Sequence, residues 1–361
     1  MKNKKIVVII IIILSLITIL SITKNNKKYI MRDGMMLALS LDGSSITSFP
    51  ERGEYEVSVD CGDTAVGKWL AEEWNLAIED ITENIKCNIN FSTNPFILKN
   101  KVESINTTNN NGYRYSGKQP NNWIWFNREK WRIIGSVPVT LANGTQTHLV
   151  KIIRSESIGG LIFDSSATNL KWGSNTLYTL LNTKYYGKVD ATGTNPCLGY
   201  QTTGYPLCNY EEIGISSSGD DYYGRMIKDV YWNVGAVSDT STKISVLYTS
   251  ESETKSSITG KIGLMSASDY GYATSRITYS SVELSSLSSY EQNNWLYGQG
   301  NEWTLTPSGS YAAFNLHYDG KIGNALVFYG LAVRPVVYLN SSVYIVSGDG
   351  TEGNPYQIAM Q

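Results

Sequence analysis

The residues of this chain that could carry catalytic or metal chemistry are few and widely separated. Its two histidines, His148 and His317, are too few for a histidine-rich metal site, and each lies in an alternating apolar segment with no nucleophile motif nearby. This placement favours a structural role for both. The chain also lacks a zinc-binding His-Glu-x-x-His pattern, a Cys-x-x-Cys pair and a nucleophile elbow. The sequence therefore predicts no catalytic residue, no metal site and no cofactor.

Two further motifs match a functional pattern only formally. Gly348-Asp-Gly-Thr-Glu-Gly353 fits the dinucleotide-binding fingerprint, but Pro355 follows so closely that no helix can begin there to receive a pyrophosphate. The adjacent aspartates Asp220 and Asp221 follow Gly219 in a loop rich in serine and glycine. A calcium or general-acid role is open to them, but the composition favours a solvated loop.

Aromatic side chains are the remaining candidates for a functional surface, because exposed Trp and Tyr can stack on sugar faces or anchor a protein interface. The candidate binding residues lie in predicted loops: Asp269, Tyr270, Tyr272, Trp295, Tyr297 and Tyr318. Ordinary packing is the alternative interpretation of these rings. Trp131 and Trp303 are interpreted as structural residues.

The composition points away from nucleic acid and toward β-rich structure. The net charge is −2 and only 17% of the residues are charged, so there is no electrostatic reason to expect a nucleic-acid partner. The chain has 25 tyrosines and nine tryptophans against seven phenylalanines. This excess of amphipathic aromatics suits strands with one solvated face, and it also suits a surface that binds carbohydrate.

An apolar N-terminal segment predicts a membrane anchor. Residues 6–22 contain no charge and follow three lysines within residues 1–5. A helix of this length spans roughly 25 Å, which is enough to cross a bilayer. No small-x-small cleavage pattern follows, which favours an uncleaved signal anchor over a cleaved signal peptide. Residues 1–28 are therefore predicted as the anchor with its basic flanks.

Residues 29–92 predict a small β-sandwich, because apolar and polar side chains alternate along its segments. Cys61 and Cys87 fall on inward positions of separate strands, which predicts a disulfide between the two sheets worth about 3 kcal/mol. Buried free thiols are the alternative, but a small core behind an export segment favours the bridge. Cys197 and Cys208 lie in a loop rich in Gly, Thr and Pro and form the second predicted pair. Two disulfides indicate an oxidising compartment outside the cytoplasm.

The C-terminal part of the chain predicts a larger α+β domain. Residues 93–112 are rich in Asn, Lys, Ser and Thr and are predicted as a linker, and residues 113–361 form the domain. Few helices, long loops and short strands predict a mixed β-sheet. The predicted strands and hairpin arms lie at 123–126, 131–137, 148–154, 244–248, 261–265, 314–318 and 343–346.

A charged residue in the middle of an apolar run predicts a long-range ion pair. The run Gly330–Leu339 contains Arg334, and an unpaired buried guanidinium would be very costly. Asp269 and Glu129 are its expected partners. Pro335 cannot donate to a strand ladder, so it predicts an edge or a bend.

Several segments of the second domain, taken in order, resemble a known family. They are Glu129-Lys-Trp-Arg-Ile-Ile-Gly135, Ser174-Asn-Thr-Leu177 with Leu181-Asn182, Gly263-Leu-Met-Ser-Ala-Ser-Asp-Tyr270, Trp303-Thr-Leu-Thr-Pro307 and Val333-Arg-Pro-Val336. Residues 113–358 resemble an uncharacterised bacterial surface-protein family whose domain is C-type-lectin-like, of the formylglycine-generating-enzyme (sulfatase-modifying-factor) branch.

The resemblance implies that the segments of Trp303 and Arg334 are adjacent core strands. Oxidase chemistry in that branch relies on late cysteines, and no cysteine follows Cys208 here. Calcium-dependent lectins use a Trp-Asn-Asp strand, to which Asn301-Glu302-Trp303 is similar only superficially. The resemblance therefore implies neither activity.

Together these features predict a single-pass membrane protein with its C-terminal bulk outside the cell, acting in binding or adhesion without catalysis. A glycan or a protein is the expected ligand. One alternative is an envelope enzyme that acts on glycans with acids such as Asp269 or Glu302. Another is a pilus-like structural subunit, which is disfavoured because the apolar segment lacks the Gly-Phe-Thr-Leu-x-Glu leader of such subunits.

Overall fold

A computed structural model describes residues 22–360 of the chain apart from gaps at 25–26, 33–34, 53–54, 63–64, 80–84, 94–95, 107, 110–111, 167–168, 193–207, 217–220, 236–238, 276 and 298–299. The chain divides into two compact units, residues 1–95 and 96–361. Both consist mostly of β-sheet with few helices, as predicted. No helix in the described ranges is long and apolar enough to cross a membrane. The predicted anchor, residues 6–22, lies outside those ranges except for Ile22.

Eight strands lie within the described ranges of the first unit. They are β1 (Ile22–Lys24), β2 (Lys27–Arg32), β3 (Met35–Leu41), β4 (Ser44–Ile46), β5 (Tyr55–Asp60), β6 (Val66–Leu70), β7 (Asn75–Glu79) and β8 (Lys86–Thr93). Strands β1-β2-β3-β8-β5 form one sheet in that order, with β4 paired to β3. Strands β6 and β7 form a separate hairpin.

The hairpin and the larger sheet share one core. Trp69 of β6 lies edge-on to Phe91 of β8, with ring centroids 5.0 Å apart. Gly67 lies so close to the larger sheet that a Cβ there would stand 2.7 Å from the Cys61 sulfur. A side chain at this position would therefore push the two layers apart.

The predicted Cys61–Cys87 disulfide is confirmed, and both cysteines are buried. Its placement differs from the prediction, because it joins two neighbouring strands of one sheet and not two sheets. Asp60 of β5 pairs with Asn88 of β8, so the next position along the ladder places Cys61 opposite Cys87. The alternation of β5 predicted inward side chains correctly, but it carried no information about which strand is the neighbour.

The second unit contains sixteen strands and five short α-helices within the described ranges. The strands are β9 (Thr108–Asn109), β10 (Gly112–Arg114), β11 (Trp123–Phe126), β12 (Glu129–Leu141), β13 (Gln146–Arg154), β14 (Gly160–Leu161), β15 (Val230–Asn233), β16 (Lys255–Gly260), β17 (Ile262–Gly263), β18 (Glu302–Pro307), β19 (Ala312–Leu316), β20 (Ile322–Leu326), β21 (Leu331–Ala332), β22 (Val336–Tyr338), β23 (Val343–Ser347) and β24 (Tyr356–Met360). The helices are α1 (Leu98–Ile105), α2 (Thr176–Thr179), α3 (Tyr222–Met226), α4 (Ile244–Glu253) and α5 (Ala267–Tyr272). A π-helix (Leu180–Tyr185) continues α2, and a 3₁₀ helix spans Leu284–Asn293.

Two sheets form the frame of this unit. An eleven-stranded sheet has the main order β17-β22-β13-β12-β11-β24-β23, and a five-stranded sheet has the order β14-β21-β18-β19-β20. The run Gly330–Leu339 connects them, since β21 belongs to the smaller sheet and β22 to the larger one. The break falls at Val333-Arg-Pro335, where a bend was predicted.

Two local predictions differ from the structure. Residues 244–248, predicted as a strand, begin helix α4, in which Ile244, Leu247 and Glu251 are buried at helical spacing. The strand prediction followed the β-branched residues and missed this spacing. Residues 93–112, predicted as a linker, contain helix α1, whose Leu98 and Val102 are fully buried in the core of the second unit.

Candidate functional site

Asp269 lies in the interior of the second unit and binds two cations. Its Oδ2 accepts a hydrogen bond from Lys151 Nζ at 2.6 Å, and its Oδ1 accepts one from Arg114 Nη1. It also caps helix α5 by accepting from the Ser266 backbone N–H at 2.8 Å. Burial would raise the pKa of the Asp269 carboxyl, but Lys151 and Arg114 outweigh burial and hold the pKa well below its usual range. Asp269 is therefore an ionised structural centre.

Arg334 finds its partner in Glu302, and the expected pairing with Asp269 or Glu129 is wrong. The Arg334 Nε donates to both Glu302 carboxylate oxygens, at 2.8 and 2.9 Å. The parallel pairing of β18 with β21 places Glu302 opposite Ala332, two residues before Arg334. Glu129 binds Arg154 instead, with 2.6 Å between Nη2 and Oε2. The pairing depended on sheet topology, which residue types do not specify.

Glu251 is a third buried acid, and it has no cation within hydrogen-bonding distance in the described ranges. Its carboxyl accepts hydrogen bonds from the Ser268 hydroxyl and from Thr306 Oγ1, the latter at 2.5 Å. Burial raises the pKa of Glu251 to about 7, and the nearby Asp269 charge adds to the shift. The hydroxyl bonds oppose this shift but do not cancel it.

We expect Glu251→Gln to remove a pH dependence of stability. Because the pKa of the folded carboxyl is raised from 4.5 to about 7, its contribution to stability is fully present below pH 4.5 and is lost as the pH rises through about 7. The loss amounts to roughly 3 kcal/mol at most. Urea unfolding between pH 5 and 8 would measure it, with the exposed Glu253→Gln on the same helix as the control. An equal decline in wild type and Glu251→Gln would contradict this assignment.

The predicted binding residues do not form one exposed surface. Asp269, Tyr270, Tyr272 and Trp295 are buried, so a ligand cannot stack on them. Their polar atoms serve the fold: the Tyr270 hydroxyl donates to the Gly320 carbonyl at 2.8 Å, for example. Of the two remaining residues, Tyr297 is half-buried and Tyr318 is 66% exposed. The predicted loop position was a poor guide because Asp269, Tyr270 and Tyr272 belong to the buried helix α5, and Trp295 follows the 3₁₀ helix Leu284–Asn293.

The residues predicted to be structural lie in the core. Trp131, Trp303 and Arg334 are buried, and the Trp303 indole N–H donates to the Leu161 carbonyl at 2.8 Å. Cys208 is also buried, whereas its predicted partner Cys197 lies outside the described residues. The second disulfide therefore stays a prediction. No group of three or more His, Cys, Asp or Glu in the described ranges could hold a metal ion.

A cavity of about 560 Å³, here called the Trp172 cavity, lies within the second unit. The loop before α2, the end of β15, the start of β16 and the turn after β18 enclose it. Its lining residues are Leu170, Lys171, Trp172, Val234, Gly235, Thr254, Lys255, Ser256, Ser257, Pro307 and Gly309.

Backbone contacts hold these segments in place. The Val234 N–H donates to the Thr254 carbonyl at 2.9 Å, which ties the end of β15 to the start of β16. Gly235 has φ +71°, and a Cβ there would stand 2.9 Å from Glu251 Cγ, so only glycine fits. Glu251 therefore packs against Gly235, which is one of the residues that line the cavity.

Two buried polar atoms at this cavity have no hydrogen-bond partner in the part of the chain that the structure describes. They are the indole N–H of Trp172, a side chain only 1% exposed, and the hydroxyl of Ser308, which lies between Pro307 and Gly309. A buried donor left unpaired costs about 1–3 kcal/mol. Neither atom has accessible surface, so both lie behind the cavity wall, and it is the size of the cavity and its largely apolar wall that make it the candidate ligand site.

A second cavity, of about 700 Å³, has a more polar wall. It is lined by Lys101, Ile105, Asn106, Arg114, Tyr115, Ser116, Gln119, Pro120, Asn121, Asp349 and Tyr356. Burial raises the pKa of the Tyr115 hydroxyl, which interacts with the side chains of Asn106 and Tyr356. This cavity has no exposed aromatic patch like the one next to the Trp172 cavity among the described residues.

An exposed aromatic patch starts two residues beyond the Trp172 cavity. It consists of Tyr311, Leu326, Phe328 and Tyr329, which are between 37% and 58% exposed. The Val327 N–H donates to the Tyr311 carbonyl at 3.1 Å, which brings the two parts of the patch together. Sequence reasoning missed this patch, although the predicted hairpin from Phe314 and the adjacent Phe328-Tyr329 pair were visible signals.

Comparisons of the chain with family models, with curated proteins and with solved structures found no match.

Proposed function

We propose that this protein is a membrane-anchored, extracytoplasmic binding or adhesion protein whose second unit holds its ligand in the Trp172 cavity. The observation that carries the proposal is a cavity of about 560 Å³ whose wall combines apolar residues with the side chains of Lys171 and Lys255. A cavity of this size with an apolar wall and a few polar groups is typical of sites for small ligands. The exposed aromatic patch extends the binding surface beyond the cavity mouth.

The rest of the proposal rests on the sequence. The apolar run 6–22 supports the anchor, and the confirmed Cys61–Cys87 disulfide supports an oxidising compartment. A C-type-lectin-like fold for the second unit remains part of the proposal. The adjacent strands β18 and β21, which carry Glu302 and lead into Arg334, support it.

The alternative of a glycan-cleaving enzyme with Asp269 or Glu302 as its acid is disfavoured by geometry. Both carboxylates are buried and bonded to cations, so neither can reach a glycosidic bond. A binding function needs neither residue to be accessible.

The first test concerns the Trp172 N–H. We expect Trp172→Phe to lower the free energy of unfolding only by the packing lost with the smaller ring, since this N–H has no internal hydrogen bond to lose. Trp303→Phe is the matched control, because it makes the same change in ring size but also removes the bond to the Leu161 carbonyl. It should cost about 1 kcal/mol more. Equal losses for both variants in urea unfolding would show that the Trp172 N–H is satisfied inside the protein.

The second test concerns binding. The full-length chain, purified in mild detergent under oxidising conditions, would be applied to arrays of glycans and extracellular-matrix proteins. We expect wild type to bind at least one array component and Trp172→Phe to bind it more weakly, because the smaller ring changes the shape of the cavity wall. Absence of binding to every component, together with turnover of a cell-wall glycan, would overturn the binding proposal in favour of an enzyme.

A further inference from the structure

We propose that the ligand of the Trp172 cavity is an acidic saccharide, with the carboxylate of one sugar held between Lys171 and Lys255. This inference rests on the proposed binding function and adds the chemical class of the ligand. It follows from the hydrogen-bonding capacity of the cavity wall and from the aromatic patch beside it.

The charged groups of the cavity wall are all donors. Lys171 and Lys255 are the only charged residues that line the cavity among the described residues, and an ammonium group can only donate. No aspartate or glutamate is among the described lining residues. A ligand that satisfies these groups must bring acceptors, and an anionic group is the best acceptor for an ammonium.

Both ammonium groups are available to such a ligand. Neither Lys171 nor Lys255 takes part in an ion pair within the described ranges, whereas Lys151 and Lys321 do. The nearest buried acid, Glu251, lies behind Gly235 and is engaged by the hydroxyls of Ser268 and Thr306. The positive charge of the two lysines therefore has no internal counterion in the structure described.

Hydroxyl groups make the wall suitable for a sugar. The Ser256 hydroxyl is already used, since it accepts from the Trp232 backbone N–H at 2.9 Å and donates to the Ile258 carbonyl at 2.7 Å. Thr254 and Ser257 have no such hydroxyl bonds among the described residues. These two hydroxyls can each donate and accept, which matches the hydroxyls of a saccharide ring.

The aromatic patch provides room for more than one sugar. Tyr311 follows the cavity residue Gly309 by two positions, in a turn closed by the Ser308 N–H and the Ala312 carbonyl at 2.8 Å. Tyr311, Phe328 and Tyr329 expose ring faces on which neighbouring sugars can stack. An acidic sugar in the cavity and its neighbours on the patch would use both features at once.

The test uses an array in which glycans ending in glucuronic, galacturonic or sialic acid stand beside their neutral, carboxyl-reduced forms. Sulfated glycans and acidic peptides complete the array. We expect the full-length chain to bind a carboxylated glycan about tenfold more tightly than its neutral form. The affinity should fall as salt is added, because the lysines are exposed.

Variants then locate the contact. Lys171→Gln and Lys255→Gln should each weaken binding of the best carboxylated glycan by about tenfold while the melting temperature stays at the wild-type value. Lys118→Gln, an exposed lysine outside the cavity, is the matched control and should bind like wild type.

Each other outcome overturns the inference in a distinguishable way. Equal binding of neutral forms, or wild-type binding by both folded lysine variants, would refute the carboxylate contact. Binding of sulfated glycans alone would assign a different anion, and binding of acidic peptides alone would exclude a saccharide. No binding of any probe would overturn the proposed function itself and this inference with it.

Discussion

Asp269→Asn is expected to lower the free energy of unfolding by about 5 kcal/mol, the upper end of the range for breaking a buried ion pair. The change keeps the size of the side chain and an oxygen that can still cap α5, but it removes the negative charge. Lys151 and Arg114 would then both remain buried without a counterion. Because two cations lose their counterion, the expected loss of stability is larger than for an ordinary single ion pair.

Urea unfolding at pH 7 would measure this loss, with Asp319→Asn as the control. Asp319 also contacts two basic side chains, Lys321 at 3.0 Å and His317 at 2.9 Å, but it lies at the surface. Solvent screening should limit its cost to no more than about 1 kcal/mol. A loss of less than about 1 kcal/mol for Asp269→Asn would contradict the assigned role.

The Asp269 carboxyl should also make the folded protein less stable in acid. The pKa of Asp269 is depressed by folding from its ordinary 3.8, because Lys151 and Arg114 outweigh the effect of burial. The unfolded chain therefore takes up this proton at a higher pH than the folded one. The contribution of the ionised Asp269 to the free energy of unfolding is present above about pH 4 and is lost as the pH falls further. Asp269→Asn should therefore abolish the part of the acid-induced destabilisation that depends on this carboxyl.

Breaking the Glu302–Arg334 pair is expected to have the second-largest effect. Glu302→Gln leaves the Arg334 guanidinium buried without its carboxylate, and Arg334→Met leaves Glu302 buried without its cation. Each single change should cost about 3–5 kcal/mol, because an uncompensated buried charge is very unfavourable. Burial already raises the pKa of Glu302 despite Arg334, and Arg334→Met should raise this pKa further because it removes the opposing charge.

The double variant Glu302→Leu with Arg334→Met distinguishes a costly pair from a stabilising one. A buried ion pair replaced by apolar residues of similar volume is often close to neutral, since the desolvation cost of both charges disappears as well. We expect the double variant to be more stable than either single one, which would give a large coupling energy in a double-mutant cycle. Additive losses would show that the two side chains do not act as a pair.

These two ion pairs fix the frame on which the Trp172 cavity depends. Glu302 begins strand β18, and Pro307 at its end lines the cavity. Asp269 caps α5, whose Ser268 holds Glu251 behind Gly235. The interior charges therefore position the segments that form the wall of the Trp172 cavity.

The sequence by itself determined those features that depend on near neighbours. Alternation along residues 55–61 predicted an inward Cys61, and apolar runs predicted strands β11, β12 and β13 close to their observed bounds. Pro335 predicted the bend within Gly330–Leu339, because its ring cannot donate to a ladder. Such inferences need only the period of the side chains or the chemistry of one residue.

Only the tertiary structure decided which distant groups meet. Glu302 became the partner of Arg334 through a strand pairing, and Asp269 that of Arg114 and Lys151 through the packing of helix α5, and residue types leave both open. The Trp172 cavity combines four segments from residues 170 to 309, so no local pattern could indicate it. Tyr270, Tyr272 and Trp295 were buried and the Tyr311 patch was exposed for the same reason, since the burial of a side chain depends on long-range packing.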